Sequence, residues 1–338
     1  MTAPDPRENP DLLGQESAEA VLAGALRSGR LHHAWLLTGP EGVGKATLAF
    51  RFARRLFAGH GAADSLFLPA ADPVFRRVAS GGHTDLLAIA RGWDEKRKRL
   101  RAEIVVDQVR EAQRFLHLTP GEGGWRVLIL DEADRLNANA ANALLKLLEE
   151  PPARAIVLLT CAAPGRLPAT VRSRCRVLRL APLAEAPLAT LLARFLPELG
   201  AEERERLAEL AEGSPGRALR LAEAEGPLLA GLVDEALDAL PAGLPTVRLS
   251  AVLEKAGASE ESFAFFLGQL RATLAAAVRA AARGRADPDQ SRLLASRPLA
   301  AWGEVWQGLR EIEEETIGLA LDRRSALLEG LSLLSPSS

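Results

Sequence analysis

Residues Gly39-Pro40-Glu41-Gly42-Val43-Gly44-Lys45 fit the phosphate-binding pattern G-x-x-x-x-G-K, and the pattern then breaks. Ala46 stands where Ser or Thr would help hold Mg²⁺, and Thr47 brings a hydroxyl one residue late. In such a loop the glycines let successive backbone N–H groups turn inward around a phosphate. The N-terminus of the following helix adds a partial positive charge, and Lys45 adds a full one. Gly39, Gly42, Gly44, Lys45 and Thr47 are therefore the candidate nucleotide contacts. ATP and Mg²⁺ are the ligands that suit them, with binding and hydrolysis both left open by Ala46. A glycine-rich turn without a ligand is the alternative reading of the same residues.

A second group of chemically capable residues follows some ninety positions on. Trp125-Arg126-Val127-Leu128-Ile129-Leu130 is an apolar strand that ends in Asp131-Glu132-Ala133-Asp134. In P-loop proteins an acid at this point helps hold Mg²⁺, which makes Asp131 the candidate for that role. Glu132 is the candidate base, because a carboxylate one residue further on can face the γ-phosphate. Read alone, the segment is equally a strand followed by an acidic helix cap.

The elements that must position these groups follow from periodicity. Residues 34–37 read as a buried strand, and residues 46–57 as a helix with Leu48, Phe52 and Leu56 on one face. A helix is expected at 17–26. Residues 60–82, rich in glycine, alanine and proline, read as a loop or insertion. Strands are expected at 85–90, 104–106, 155–160 and 177–180, and helices at 107–117 and 137–150. This alternation predicts a parallel sheet with helices on both faces. Beyond Ala181-Pro182-Leu183 strand signals stop. Short helices are expected at 188–195, 201–211 and 214–223. From 226 the pattern is helical, with breaks near 241–245, 284–288 and 297–298. Such a tail either packs on itself or supplies an oligomer interface.

Composition excludes several classes. At 338 residues two or three domains are expected, and 48% hydrophobic with 25% charged residues is that of a soluble globular chain. No run of about 18 apolar residues is present, so no membrane span is expected. Residues 1–11 lack an apolar signal core, which points to the cytoplasm. The net charge of −2 is not that of a general nucleic-acid binder. The local basic run Lys96-Arg97-Lys98-Arg99-Leu100-Arg101 is either a solvated loop or a contact to a phosphate backbone. Cys161 and Cys175 do not form C-x-x-C, the five histidines are scattered, and no structural metal or zinc is expected. His32 and His33 would point to opposite sides of a strand.

Three further motifs follow the acidic strand. They are Asn142-Ala143-Leu144-Leu145-Lys146-Leu147-Leu148-Glu149-Glu150-Pro151-Pro152, Leu167-Pro168-Ala169-Thr170-Val171-Arg172-Ser173-Arg174-Cys175 and Gly213-Ser214-Pro215-Gly216-Arg217-Ala218-Leu219. With the phosphate loop and the acids they resemble the clamp-loader branch of the AAA+ ATPases, over residues 11–220 well and over the tail loosely. The Ser-Arg-Cys triplet is the most specific mark.

The resemblance implies an α/β plus all-α protein in three parts. These are an AAA+ P-loop parallel-sheet domain at 1–180, a small helical lid at 181–225 and a helical collar for oligomerisation at 226–338. It implies that Arg174 reaches into a neighbouring subunit's ATP site as an arginine finger, with Arg172 in a supporting salt bridge. Three positions depart from the family pattern: Ala46, the polar sensor expected near 160–162, where Cys161-Ala162 is a poor substitute, and the second sensor. There Gly216 holds the arginine's place and Arg217, the candidate contact, comes one residue late. The zinc module that many relatives carry at positions matching 58–82 is also missing. Each departure weakens hydrolysis by this chain and none touches Arg174, the asymmetry of a stator subunit. Implied partners are the motor subunits called gamma or tau, the delta subunit, and a sliding clamp and primed DNA through the complex. The chain alone would show weak or no ATPase activity and no polymerase chemistry. An active AAA+ motor using Lys45, Asp131 and Glu132, and a P-loop kinase of a small molecule, are the competing readings.

Overall fold

The computed structural model describes residues 4–59, 65–94, 99–122, 124–240 and 243–334. The chain divides into two compact units, residues 2–200 with 211–218, and residues 201–210 with 219–338.

In chain order the strands are β1 (Ala34–Thr38), β2 (Leu86–Ile89), β3 (Trp93–Asp94), β4 (Arg99–Leu100), β5 (Arg126–Leu130), β6 (Ala155–Cys161) and β7 (Arg176–Arg179). Five of them form one parallel sheet in the order β2-β5-β6-β1-β7. β1, β5 and β6 are buried at every position. A parallel strand covered on both faces must be apolar throughout, which is why these segments read as unbroken hydrophobic runs. Register places Leu36 beside Leu159, and Leu128 beside Val157.

The helices of the sheet unit are α1 (Glu16–Ser28), α2 (Lys45–Phe57), α3 (Pro73–Ala79), α4 (Val106–His117), α5 (Ala138–Glu149), α6 (Ala169–Arg172) and α7 (Glu185–Phe195). Val109, Ala112 and Leu116 of α4 and Leu144, Leu147 and Leu148 of α5 pack with Leu36, Leu128, Leu130, Val157 and Leu159 in one core. Asn137 caps α5 by accepting the Ala140 N–H at 2.9 Å. β1 has β6 on one side and β7 on the other, while the next strand in the chain, β2, lies at the far edge. The sheet therefore changes its direction of growth at β1, and the carboxyl ends of β1 and its neighbours open the crevice in which such sheets bind ligands.

A half-buried carboxylate ties down the start of this unit. Glu19 of α1 accepts from Arg51 Nη2 of α2 (2.8 Å), Ser65 Oγ (2.9 Å) and the Leu66 N–H (2.8 Å). Burial works to raise the Glu19 pKa, but Arg51 and the other donors outweigh it and the group lies below its ordinary value.

After α8 (Ala201–Ala211) and α9 (Pro215–Glu223) come α10 (Gly226–Asp238), α11 (Thr246–Lys255), α12 (Glu260–Ala282), α13 (Pro288–Leu294), α14 (Leu299–Leu319) and α15 (Arg323–Leu334). On α12 the buried residues Phe263, Phe266, Leu267, Leu270 and Leu274 recur at helical spacing. They pack with Leu229 and Val233 of α10, Trp302, Val305 and Leu309 of α14, and Leu327 of α15. The tail thus has a core of its own. No helix among the described residues is long and apolar enough to cross a membrane.

Several local expectations are corrected. The stretch 60–82 is not all loop: α3 forms at its end, with Asp72 accepting the Val74 N–H at 2.7 Å and Pro73 in the first turn, where proline costs nothing. Residues 104–106 make no strand; Ile104 only bridges Leu136, and Val106 already opens α4. His32 and His33 do not diverge, because both precede β1, and their rings stack with centroids 4.5 Å apart. In the basic run, Lys96, Arg97 and Lys98 lie outside the described residues, and Arg99–Leu100 pairs antiparallel with Trp93–Asp94.

Candidate functional site

The phosphate-type loop leaves β1 at Gly39, whose N–H donates to the Cys161 carbonyl at the end of β6 (3.3 Å). A Cβ at Gly39 would stand 2.3 Å from the Leu180 carbonyl oxygen, so only glycine fits. Gly42 meets the start of α9: the Gly216 N–H donates to its carbonyl at 2.9 Å, and a Cβ on Gly216 would lie 2.8 Å from the Gly42 Cα. Gln15 Nε2 donates to the carbonyls of Val43 (3.4 Å) and Ala181 (2.8 Å) and holds the loop's other end.

Lys45, first residue of α2, is folded back on this loop. Its Nζ donates to the carbonyls of Gly39 (2.9 Å) and Pro40 (2.7 Å). The residue is only 8% exposed, and burial pushes its pKa down, with Asp131, Glu41 and Asp134 opposing that shift. Thr47 is buried on the first turn of the same helix.

The acids arrive from the adjoining strands. The Asp131 N–H donates to the Ile89 carbonyl at 2.8 Å, which fixes it at the end of the sheet. Thr160 of β6 donates its hydroxyl to Asp131 and accepts the Glu132 N–H at 3.0 Å. Burial raises the Asp131 pKa, and the Thr160 hydrogen bond works the other way. The end of β6 is therefore not bare of polar groups, as Cys161-Ala162 suggested; the useful hydroxyl is one residue earlier. Glu132 has φ +57° and is gripped by Arg91, with Nε 2.6 Å and Nη2 3.1 Å from its two carboxylate oxygens. That bond is the main cause of a raised Arg91 pKa. The sequence reading missed Arg91; the available signal was its place two residues past β2, the strand paired with β5.

The two remaining candidates are held elsewhere. Arg217 on α9 pairs with Glu212 at 2.8 Å. Arg174 follows α6 and spans two acceptors, the Thr170 carbonyl (Nη1, 2.9 Å) and Glu149 of α5 (Nη2, 2.6 Å). Its side chain is 37% exposed and that of Glu149 48%, so this is a surface pair. Among the described residues Arg172 makes no salt bridge of the kind expected; its guanidinium donates to the Pro164 carbonyl.

The structure thus brings Gly39, Gly42, Gly44, Lys45, Asp131, Glu132 and Thr160 to the carboxyl ends of β1, β5 and β6. The loop and Lys45 suit a phosphate. The Mg²⁺ donors fall short, because position 46 has no hydroxyl and the Asp131 carboxylate is engaged by Thr160.

A parallel sheet with a G-x-x-x-x-G-K loop at its switch point and acids at the end of β5, in a chain that also carries a helical unit, defines a P-loop protein of the AAA+ class. Residues 14–184, just over half of the chain, match the family model described as DNA polymerase III, delta subunit, and the chain belongs to that family. It is 40% identical over 190 residues to DNA polymerase III subunit delta' of Pseudomonas aeruginosa, which covers 56% of this chain and 55% of that protein. It is 33% identical over 227 residues to DNA polymerase III subunit tau of Escherichia coli, covering 64% and 33%. The chain therefore matches about half the length of its delta' relative and a third of the tau protein. A gamma subunit-related protein of Thermotoga maritima aligns over 93% of this chain and 98% of its own, at 21% identity and a TM-score of 0.40.

Proposed function

We propose that the chain is a delta'-like stator subunit of a bacterial clamp loader. On this reading it does not turn over ATP itself. It presents Arg174 to the ATP site of a neighbouring motor subunit and so helps load a sliding clamp on primed DNA. The observation that carries the reading is a contrast within one molecule. Lys45 and Asp131 are taken by internal partners beside a loop that lacks its metal-binding hydroxyl, whereas Arg174 sits in a surface pair. Exposed pairs contribute roughly 0–1 kcal/mol, so Glu149 releases Arg174 at little cost when a better anion arrives. A guanidinium is suited to that anion, since it is permanently charged and its planar fork matches phosphate oxygens.

The proposed partners are the gamma or tau motor subunits and the delta subunit. Residues 1–180 would serve as the nucleotide-type domain, 181–225 as the lid and 226–338 as the collar that joins the ring. Phosphate contacts by Gly39, Gly42, Gly44 and Lys45 would be structural, with Glu132 a base only if hydrolysis occurs. Steady-state hydrolysis by the isolated chain with ATP and Mg²⁺ tests the reading. No turnover above background is expected; robust turnover would make the chain a motor and end the stator assignment.

A further inference from the structure

Asp134, last acid of the Asp131-Glu132-Ala133-Asp134 run, has entered so far only as a charge acting on Lys45. It sits in the single 3-10 turn Ala133–Arg135 that follows β5. Its oxygens accept from two successive amides: Oδ1 from the Ala162 N–H at 3.1 Å and Oδ2 from the Ala163 N–H at 3.2 Å. Those amides are the first two after β6. A carboxylate spanning consecutive N–H groups makes two charge-assisted bonds and fixes the direction in which the chain leaves the strand.

That direction leads to Arg174. The chain continues through the 3-10 turn Pro164–Arg166, and the Pro164 carbonyl accepts both the Leu167 N–H at 3.3 Å and the Arg172 guanidinium. Leu167 and Val171 are buried in the sheet core, so the segment cannot slide along its own axis without breaking that packing. The Arg174 N–H then closes on the Val171 carbonyl at 3.2 Å. We infer that Asp134 and Arg172 are positioning residues for Arg174: Asp134 aims the turn, and Arg172 ties α6 back to it. The inference rests on the proposed role of Arg174 in trans. It assigns the final acid of the motif to the outgoing arginine rather than to a metal, since both of its oxygens are occupied by backbone amides.

The test is a mutant cycle in the assembled complex, with full-length chain and its motor subunits, reading ATP turnover as kcat and KM separately. Asp134→Ala should lower kcat about tenfold with KM and assembly unchanged, as expected when a reacting group is displaced rather than lost. Asp134→Asn, which keeps one acceptor for these amides, should recover part of the loss. In an Arg174→Ala background Asp134→Ala should cost nothing further. An equal loss in that background, or no loss in the parent where Arg174→Ala is damaging, overturns the inference and leaves the stator reading standing. If Arg174→Ala itself has no effect, the trans reading fails and the inference fails with it. Arg172→Ala, measured in the same cycle, decides the matter should Asp134→Ala not fold.

Discussion

Arg91 grips the carboxylate of Glu132 at two points, Nε at 2.6 Å and Nη2 at 3.1 Å, and Glu132 meets it from a left-handed backbone with φ +57°. A carboxylate forked by a guanidinium is held in place by two charge-assisted hydrogen bonds. The candidate base of the loop is therefore restrained independently of the missing hydroxyl at position 46. Two separate obstacles stand before hydrolysis in this chain, and repairing one should not suffice.

Ala46→Thr returns the hydroxyl but leaves Glu132 held. The isolated variant should hydrolyse ATP no faster than the parent. Combined with Arg91→Ala, turnover should rise by about a hundredfold or more over Ala46→Thr, at the low end of what a freed general base supplies. Full activity from Ala46→Thr alone would show that the Arg91 grip does not matter.

Arg174→Ala should leave the fold intact, since its partner pair is exposed and worth about 0.5 kcal/mol. ATP turnover by the assembled complex should fall by roughly a hundredfold or more, in keeping with arginine fingers elsewhere. Lys45→Ala should change that turnover far less. Equal losses from the two variants would mean that this chain's own loop is used.

Gly216 is where the family pattern would place an arginine, and the geometry forbids one. A Cβ there meets the backbone of Gly42 at 2.8 Å, and backbone cannot rotate aside. Gly216→Ala should lower stability by about 1–3 kcal/mol, an overpacking cost, and Gly216→Arg by more. Urea midpoints decide; a Gly216→Ala protein as stable as the parent would show that α9 lifts freely off the loop.

Cys161 and Cys175 are both pushed up to about 12, in each case chiefly by burial, with Asp134 adding to the effect at Cys161. At pH 8.5 both should resist a thiol reagent in the folded protein and react in denaturant. The sign for stability follows. The folded chain keeps these protons more tightly than the unfolded one, so their contribution is intact below the ordinary thiol pKa of 9.0 and is lost as pH rises towards about 12. Melting temperatures measured across that window should fall, and a Cys161→Ala, Cys175→Ala double variant should fall less steeply.

What the sequence disclosed depended on how local each signal was. The loop glycines, the apolar run before Asp131 and Asn137 ahead of α5 each carry their reason within a few residues, and all three elements appear where expected. Pro73 misled because a proline after a glycine- and alanine-rich stretch reads as a breaker, whereas behind Asp72 it is a first-turn residue. Ile104 has the right residue type for a strand but finds only one bridging partner. The partners of Arg91, Thr160 and Asp134 were beyond reach for another reason. Their roles arise from strands brought side by side by the fold, 28 to 41 positions apart in sequence.

The Glu19 junction has a consequence of its own. Arg51, Ser65 and Leu66 converge there on one carboxylate. Such a brace yields to acid, because Glu19 titrates below its ordinary value and its contribution disappears only as pH falls through that lowered point. The hold of α1 on α2 and on the chain at Ser65 is in effect set by proton activity.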